Sequence, residues 1–256
     1  MRKLHFNNVT DYRQAEDLKR LGYILDQIAT LGRKPLNILE IGCGNGNICY
    51  QLAYEGHKVK GIDHDEDSIA YGKSHFQHDN LVFEVKAAED VVNGNAYEVI
   101  ICSEVLEHLY HPEEVMKTIP HLLANEGVVI ITTPNGVGPR ELFITRPVQW
   151  IKHNSRLLYA LLKFVKRLMG YTGATIQSSS YSLEHVQFFK LKDLKKMAQA
   201  SGLRIVDMKP ACFLEKVFPF SLITRFFVSL QWFDCRIANA LPITISSGFM
   251  LTLKKS

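Results

Sequence analysis

The stretch ILEIGCGNGN, residues 38–47, decides the fold. A β-rich run, KPLNILEIG, ends at glycine and passes at once into GNICYQLAYEG, which reads as a helix closed by Gly56. Gly42, Gly44 and Gly46 therefore sit in the turn between a strand and a helix. Glycine lets such a turn bend sharply and lets a ligand approach the backbone. The helix beyond it begins with unpaired N–H groups. Dinucleotide sites use this device with the pattern G-x-G-x-x-G, resting a pyrophosphate on the helix N-terminus. Here the third glycine comes one position early, and Asn47 stands where that pattern needs it. Glu40 would also repel a pyrophosphate and better suits a cationic, amino-acid-like group. Asp63 ends the next strand, where a carboxylate accepts both hydroxyls of a ribose.

Outward from the loop, strands and helices alternate. HKVKGID is a second strand and DSIAYGKSHFQ a second helix, capped by Asp67 or Ser68. LVFEVKAA and YEVIICS are the third and fourth strands, PEEVMKTIPHLLA a helix, and GVVIITTP the fifth strand. Near-continuous apolar strands separated by helices predict a parallel sheet covered on both faces. Upstream, Leu18, Leu21, Leu25 and Ile28 form a stripe at helical spacing within residues 11–30. After Pro134 the rhythm stops. Residues 140–180 read as an insertion with one basic amphipathic helix, and TGATIQSSSYS as a linker. LKDLKKMAQASG is then a helix, and LRIVDMKP and SGFMLTLKK are strands that suit an antiparallel hairpin at the sheet edge.

Composition is that of a globular protein: 256 residues, 46% hydrophobic and 22% charged. The start, MRKLHFNN, lacks the apolar core of a secretion signal. The five cysteines show no C-x-x-C pair, which predicts reduced thiols and a cytoplasmic protein. The net charge of +4 is too small to argue for nucleic acid. Its distribution is uneven: from Arg140 to Arg167 seven basic residues face one acid, Glu141.

A second stretch, SEVLEHLYHPEE at 103–114, follows the fourth strand. A helix beginning near Ser103 would place Glu104, Glu107 and His108 on one face. They would lie at the C-terminal end of the strand, where open α/β sheets bind ligands. Carboxylate plus imidazole suits Mg²⁺, Mn²⁺, Fe²⁺ or Zn²⁺, and His185 in SLEHVQFF is the best fourth ligand. Without metal, His108 or His185 would act as general base.

Together, E-x-G-x-G-x-G, the acid ending strand two and the VIICSEVLEHL segment resemble the class I S-adenosylmethionine-dependent methyltransferases, from about Asn37 to Asn135. The resemblance implies a Rossmann-like, doubly wound sheet of seven strands, mostly parallel, with an antiparallel last strand. The residues themselves add helical inserts after strand five and between the last two strands. It implies S-adenosylmethionine as cofactor, with Glu40, Gly42, Cys43, Gly44, Asn45 and Gly46 around its methionine part. Asp63 would bind the ribose, with His64 beside the adenine, Ala88 and Glu89 at the adenine edge, and Cys102 and Ser103 at the end of strand four. One departure is Ala87, where many members carry Asp.

The layout is closest to the ubiquinone-biosynthesis O-methyltransferases of the type 11/12 group, which carry an E-x-x-E-H segment and a later histidine. The small-RNA 2′-O-methyltransferases are also similar, and there the positions matching Glu104, Glu107, His108 and His185 hold Mg²⁺. Both point to an oxygen acceptor. The expectation is one domain over 1–256: a helical segment 1–36, a cofactor core 37–135, a basic insert 136–182 and a C-terminal part 183–256 containing an apolar insert 211–245.

The two inserts suggest what the acceptor is. RLLYALLKFVKRLM puts Leu157, Leu158, Leu161, Val165 and Leu168 on one stripe with basic residues away from it. Ile223, Phe226, Phe227, Leu230 and Phe233 repeat the theme. Either the stripes close as a lid or dimer contact, or 140–169 and 212–240 rest on the inner face of a membrane. Both imply an apolar wall and a hydrophobic or lipid-linked, catechol- or quinone-like acceptor. Nucleic acid fits poorly, because leucines and not stacking aromatics interleave the basic residues. A sugar or polyketide acceptor and an RNA ribose stay open, and the glycine spacing argues against a nicotinamide oxidoreductase.

Overall fold

The computed structural model describes residues 10–91, 96–168, 178, 184–214, 216–224 and 226–256. The sheet strands are β1 (Asn37–Ile41), β2 (Lys58–Asp63), β3 (Leu81–Val85), β4 (Tyr97–Ser103), β5 (Leu123–Pro134), β6 (Leu203–Pro210) and β7 (Gly248–Lys255). The helices are α1 (Ala15–Ala29), α2 (Asn47–Tyr54), α3 (Glu66–His75), α4 (Pro112–Leu122), α5 (Arg146–Asn154), α6 (Arg156–Leu168), α7 (Leu191–Ala200), α8 (Phe220–Thr224) and α9 (Val228–Ala240). The strand order is β3-β2-β1-β4-β5-β7-β6. β1 to β5 run parallel, and β7 is antiparallel to both β5 and β6. This is the seven-stranded sheet expected, with its antiparallel edge hairpin. Chain order reverses between β1 and β4, which opens a crevice at their C-terminal ends.

Alternation along the strands fills both faces. Ile38, Val99, Ile101, Val128 and Ile130 join one core with Leu18, Leu21, Ile24 and Ile28 of α1. Leu39, Ile41, Ile100, Val129 and Ile131 join the other with Val115, Met116 and Ile119 of α4 and Leu194 of α7. Each such side chain contributes about 1.5–3 kcal/mol on burial. α1 is pinned at its start and its middle: the Ala15 N–H donates to Gln231 Oε1 of α9 at 2.9 Å, and Tyr23 Oη meets Thr252 Oγ1 of β7 at 2.7 Å.

Several expectations are corrected. The cap of α3 is Asp65, whose carboxylate accepts from the Ser68 N–H at 3.1 Å. The helix therefore starts earlier than Asp67, and Glu66 and Asp67 fill its acidic first turn. The first insert holds a π-helical turn over Glu141–Thr145 and two helices, α5 and α6, not one helix. Pro147 opens α5 and an extended Ser155 divides it from α6. The 172–182 linker lies outside the described residues except for Ser178.

Reduced thiols hold for Cys43, Cys49 and Cys102, which are free and buried. They do not hold for Cys212 and Cys235, which form a disulfide. The turn after β6 folds back on α9 and brings their Cα atoms to 4.5 Å, a proximity that 23 residues of separation conceal. Both inserts carry apolar side chains on their exposed faces. α9 buries Gln231, Asp234, Cys235 and Ala238. Ile223, Phe226, Phe227, Leu230 and Phe233 are exposed, as are Leu157, Leu158 and Leu161 of α6. Polar anchors explain it: Asp234 accepts from the Phe213 and Leu214 N–H groups at 2.7 and 2.9 Å, fixing which face of α9 points inward.

Candidate active site

The glycine loop sits where β1 meets α2. Gly42, Gly44 and Gly46 all have positive φ, at 69°, 50° and 85°. A Cβ on Gly42 would meet Val105 at 2.3 Å, and one on Gly46 would meet Phe83 at 2.4 Å. Side chains are excluded there by conformation and by space. The Gly44 N–H donates to Asp63 Oδ2 at 2.8 Å, and the Asp65 N–H donates to Asp63 Oδ1 at 3.0 Å. These bonds hold the Asp63 carboxylate in place and leave each oxygen a further lone pair for a ligand hydroxyl.

Glu40 lies beneath the loop and is 2% exposed. Its Oε2 accepts from Cys49 Sγ at 2.8 Å. Burial pushes the Glu40 carboxyl up to about 8, against the Cys49 hydrogen bond and with help from the charge of Asp63. A cationic group brought to this carboxylate would restore its ionised form. The residues ahead of α1 roof the loop: the Asp11 N–H donates to Asn47 Oδ1 at 2.8 Å, and Tyr12 is buried beside Arg20 and Glu40. Sequence reading missed these two, because nothing around them signals a site 30 residues away in the chain.

The remaining cofactor candidates divide. Cys43 and Asn45 are buried in the loop. His64 is exposed beside Asp63, its Nδ1 3.3 Å from Asp63 Oδ1. Ala88 and Glu89 lie in a 3₁₀ turn after β3, half-buried and exposed respectively. Cys102 is fully buried near the end of β4, where burial pushes its thiol far up. Ser103 Oγ is 2.9 Å from Thr132 Oγ1.

Beyond β4 the chain does not start a helix at Ser103. Glu104 takes a left-handed conformation, φ 58°, and a 3₁₀ turn covers Leu106–His108. The reversal separates Glu104 from the other two. Its Oε1 accepts from Thr132 Oγ1 at 2.9 Å and is 3.4 Å from Arg20 Nη1 of α1. The ligand atoms of Glu107, His108 and His185 instead lie within 4.8 Å of one another. Three of the four candidate metal ligands are thus brought together, and Glu104 pairs with Arg20.

Within the trio Glu107 is 1% exposed. Its Oε2 accepts from Thr133 Oγ1 at 3.1 Å, while Oε1 has no hydrogen-bond partner. Burial and the charge of Glu104 push its carboxyl well up. His108 Nδ1 lies 2.9 Å from the Glu184 carbonyl, which can only accept, so Nδ1 carries the proton. Its Nε2 lone pair is left 3.9 Å from Glu107 Oε1. Burial, then the neighbouring His185, pushes His108 down to about 4. The two imidazoles meet edge to face, centroids 5.1 Å apart. A buried oxygen lacking a donor, a bare ring nitrogen and a second imidazole form a donor set that fits a divalent cation.

A strap, residues 184–189, carries His185 into this site. The Glu107 carbonyl accepts from the Val186 and Gln187 N–H groups at 2.8 and 3.0 Å, and the Gly136 N–H donates to the Phe189 carbonyl at 2.8 Å. From the insert side, Gln149 Nε2 donates to the His185 carbonyl at 3.0 Å and Lys152 pairs with Glu184. Arg146 lies over the Phe188 ring at 4.6 Å.

A family model described as a methyltransferase domain matches residues 12–208. Among curated proteins, the chain is 34% identical over 128 residues to a ubiquinone biosynthesis O-methyltransferase of Mesorhizobium japonicum, covering 45% of this chain and 51% of that protein. It is 25% identical over 194 residues to one of the same name from Coxiella burnetii, covering 74% and 71%. The chain spans about half the length of the first of these relatives. Among solved structures, magnesium protoporphyrin IX methyltransferase from Synechocystis with bound SAH superposes with a TM-score of 0.56 at 15% identity, over 94% of this chain and 84% of that one. An S-adenosylmethionine-dependent methyltransferase from Mesorhizobium loti does so with 0.56 at 12%, over 86% and 91%. At these identities the likeness shows the fold alone.

Proposed function

The chain belongs to the methyltransferase-domain family, and on that premise we propose that it moves a methyl group from S-adenosylmethionine to an oxygen of a hydroxylated, apolar acceptor of catechol or quinol type. The observation that carries this reading is the convergence of Glu107, His108 and His185 at the C-terminal end of β4, beside the glycine loop. A methyl acceptor oxygen must lose its proton, and this is where proton-accepting groups meet the cofactor crevice. The names of the curated relatives support an oxygen acceptor of this class.

S-adenosylmethionine supplies an electrophilic methyl on a sulfonium; its transfer breaks the S–CH₃ bond, forms the O–CH₃ bond and leaves S-adenosylhomocysteine. The protein's part is to bind, orient and take the proton. Glu40 faces the ammonium of the methionine part, Asp63 accepts the ribose hydroxyls, and Gly42 to Gly46 give the close backbone surface. A phenol has an ordinary pKa of about 10, so little is nucleophilic at neutral pH. Glu107, His108 and His185 would hold a divalent cation such as Mg²⁺ or Zn²⁺, which lowers the pKa of a bound hydroxyl. The contact of His185 with Glu141 favours a second reading, in which His185 takes the proton directly.

The chain works as one domain, with the cofactor core at 37–135 and the two inserts as its outer face. Among the described residues, no helix is long and apolar enough to cross a membrane. The exposed stripe of α6, with Arg156 and Lys163 beside it, suits contact with a membrane surface where an apolar acceptor would be stored.

Calorimetry with S-adenosylmethionine on chelator-treated protein tests the cofactor, with micromolar binding expected. Mg²⁺ or Zn²⁺ and an alkyl catechol are then added to wild type and Glu107→Gln. Methylation that requires metal and is lost in the variant supports the cation clamp. Metal-independent methylation leaves His185 as base, and binding without methylation of any catechol rejects the acceptor class.

A further inference from the structure

Glu141 enters the second reading above only through its contact with His185, and it is the most deeply buried acid near the site. It opens the π-helical turn ahead of α5 and is 0% exposed. Its Oε2 lies 3.3 Å from His185 Nδ1, and its Oε1 has no hydrogen-bond partner. Removing a carboxylate from water costs several kcal/mol, so a position filled this way needs a partner that uses the charge. π-Turns are themselves concentrated at functional sites. Glu141 is not one of the Glu107–His108–His185 trio and reaches it through Nδ1 of His185.

We propose that Glu141 is the positioning residue for His185: it holds the proton on Nδ1 and so presents a bare Nε2 to the acceptor site. The proposal rests on the O-methylation reading only for its consequence in turnover. A carboxylate accepts and a neutral imidazole has one N–H, so the 3.3 Å contact selects the Nδ1–H form. The free lone pair then lies on the nitrogen that takes a proton or binds a cation. His108 shows the same arrangement with a neutral partner, since the Glu184 carbonyl fixes its Nδ1–H. The strap thus fixes the His108 ring and the insert the His185 ring, and only His185 has a carboxyl group behind it. The insert that bears Glu141 also bears Gln149 and Lys152, which grip the strap at His185 and Glu184. Glu141 acts through a ring that the insert already fixes in position.

The test is ¹⁵N NMR of the imidazoles in chelator-treated protein at pH 8, with His185 assigned by its loss in His185→Asn. Wild type is expected to show Nδ1 as the protonated, pyrrole-type nitrogen and Nε2 as the bare, pyridine-type one. Glu141→Gln, whose amide can donate or accept, should mix the two tautomers, and Glu141→Asp should keep the first. With an alkyl catechol as probe, Glu141→Gln should lower kcat about 10- to 100-fold with KM and cofactor binding unchanged, and Glu141→Asp should recover part of it. An Nε2–H tautomer in wild type overturns the proposal, even where a variant fails to fold. So does a Glu141→Gln protein with wild-type ring shifts and kcat. A wild type that methylates no catechol rejects the O-methylation reading alone, and the tautomer still decides the role of Glu141.

Discussion

Cys49 Sγ donates to Glu40 Oε2 at 2.8 Å, and among the described residues this thiol is the one side-chain donor that reaches the carboxylate. A thiol is a weak donor, and burial dominates: the Glu40 carboxyl is pushed from 4.5 up to about 8. The folded protein then binds a proton that the unfolded chain releases. The contribution of Glu40 to the stability of the cofactor-free protein is full below pH 4.5 and is lost as pH rises toward 8. At pH 8 the loss is on the order of 4 kcal/mol. Glu40→Gln should remove this part of the slope, raising the midpoint of denaturant unfolding at pH 8 and changing little at pH 4.5. The same substitution should weaken S-adenosylmethionine binding at least tenfold. A Glu40→Gln protein with the wild-type pH slope would sink this account.

The cofactor's ammonium should reverse the effect. When it meets Glu40 the carboxyl ionises, so binding at pH 7 should release close to one proton. Calorimetry in two buffers of different ionisation enthalpy measures that number directly. Equal apparent enthalpies in phosphate and Tris would mean that no proton leaves, and that Glu40 does not face the ammonium.

Gly46→Ala combines two faults. The residue has φ 85°, and a Cβ would lie 2.4 Å from the Phe83 ring. Gly32, at φ 66°, has nothing within 4 Å of such a Cβ. The strain of a left-handed alanine is about 1–2 kcal/mol at either site, so any excess at Gly46 reports the clash. Thermal unfolding of the pair should place Gly46→Ala well below Gly32→Ala, and only the former should lose cofactor binding.

What was legible follows from locality. The strand–glycine–helix turn, Glu40 and Asp63 lie within one βαβ unit, and hydrogen bonds between neighbours place them. The second half of the site is assembled from distant pieces. Arg20 comes from α1, Glu141 from the insert and His185 from the strap, and no periodicity connects them. Glu104 was misplaced because the helical spacing of Glu104, Glu107 and His108 assumed a helix. The chain instead reverses at a left-handed Glu104, which the Arg20 ion pair and the Thr132 hydrogen bond hold there. The stripes of both inserts were legible as stripes, but their direction depends on anchors such as Asp234.

That reversal makes its own prediction. Arg20 is buried between Asp17 and Glu104. Replacing it by leucine leaves two acids without their cation and frees the Glu104 backbone to relax. Breaking a buried pair from one side costs about 3–5 kcal/mol. Arg20→Leu should show most of that loss, and adding Glu104→Gly should recover part of it, since glycine accepts the left-handed conformation. A double mutant no more stable than Arg20→Leu would show that the turn at Glu104 carries no strain.

The exposed stripe of α6 separates the membrane reading from a packing role. Leu157 is 81% exposed, Leu161 57% and Phe164 59%, with Arg156 and Lys163 on the same helix. Substituting residues this exposed should change folding stability by no more than about 0.5 kcal/mol. On a bilayer, burying the two leucines even in part contributes about 2 kcal/mol, or roughly thirtyfold in partition. Leu157→Ser with Leu161→Ser should therefore leave thermal unfolding unchanged while lowering binding to phosphatidylglycerol vesicles by that factor. Phosphatidylcholine vesicles should bind wild type more weakly, because each basic residue near an anionic surface adds about 1 kcal/mol. If light scattering instead finds a lipid-free dimer that the double substitution dissociates, the stripe is a subunit contact and its membrane role falls.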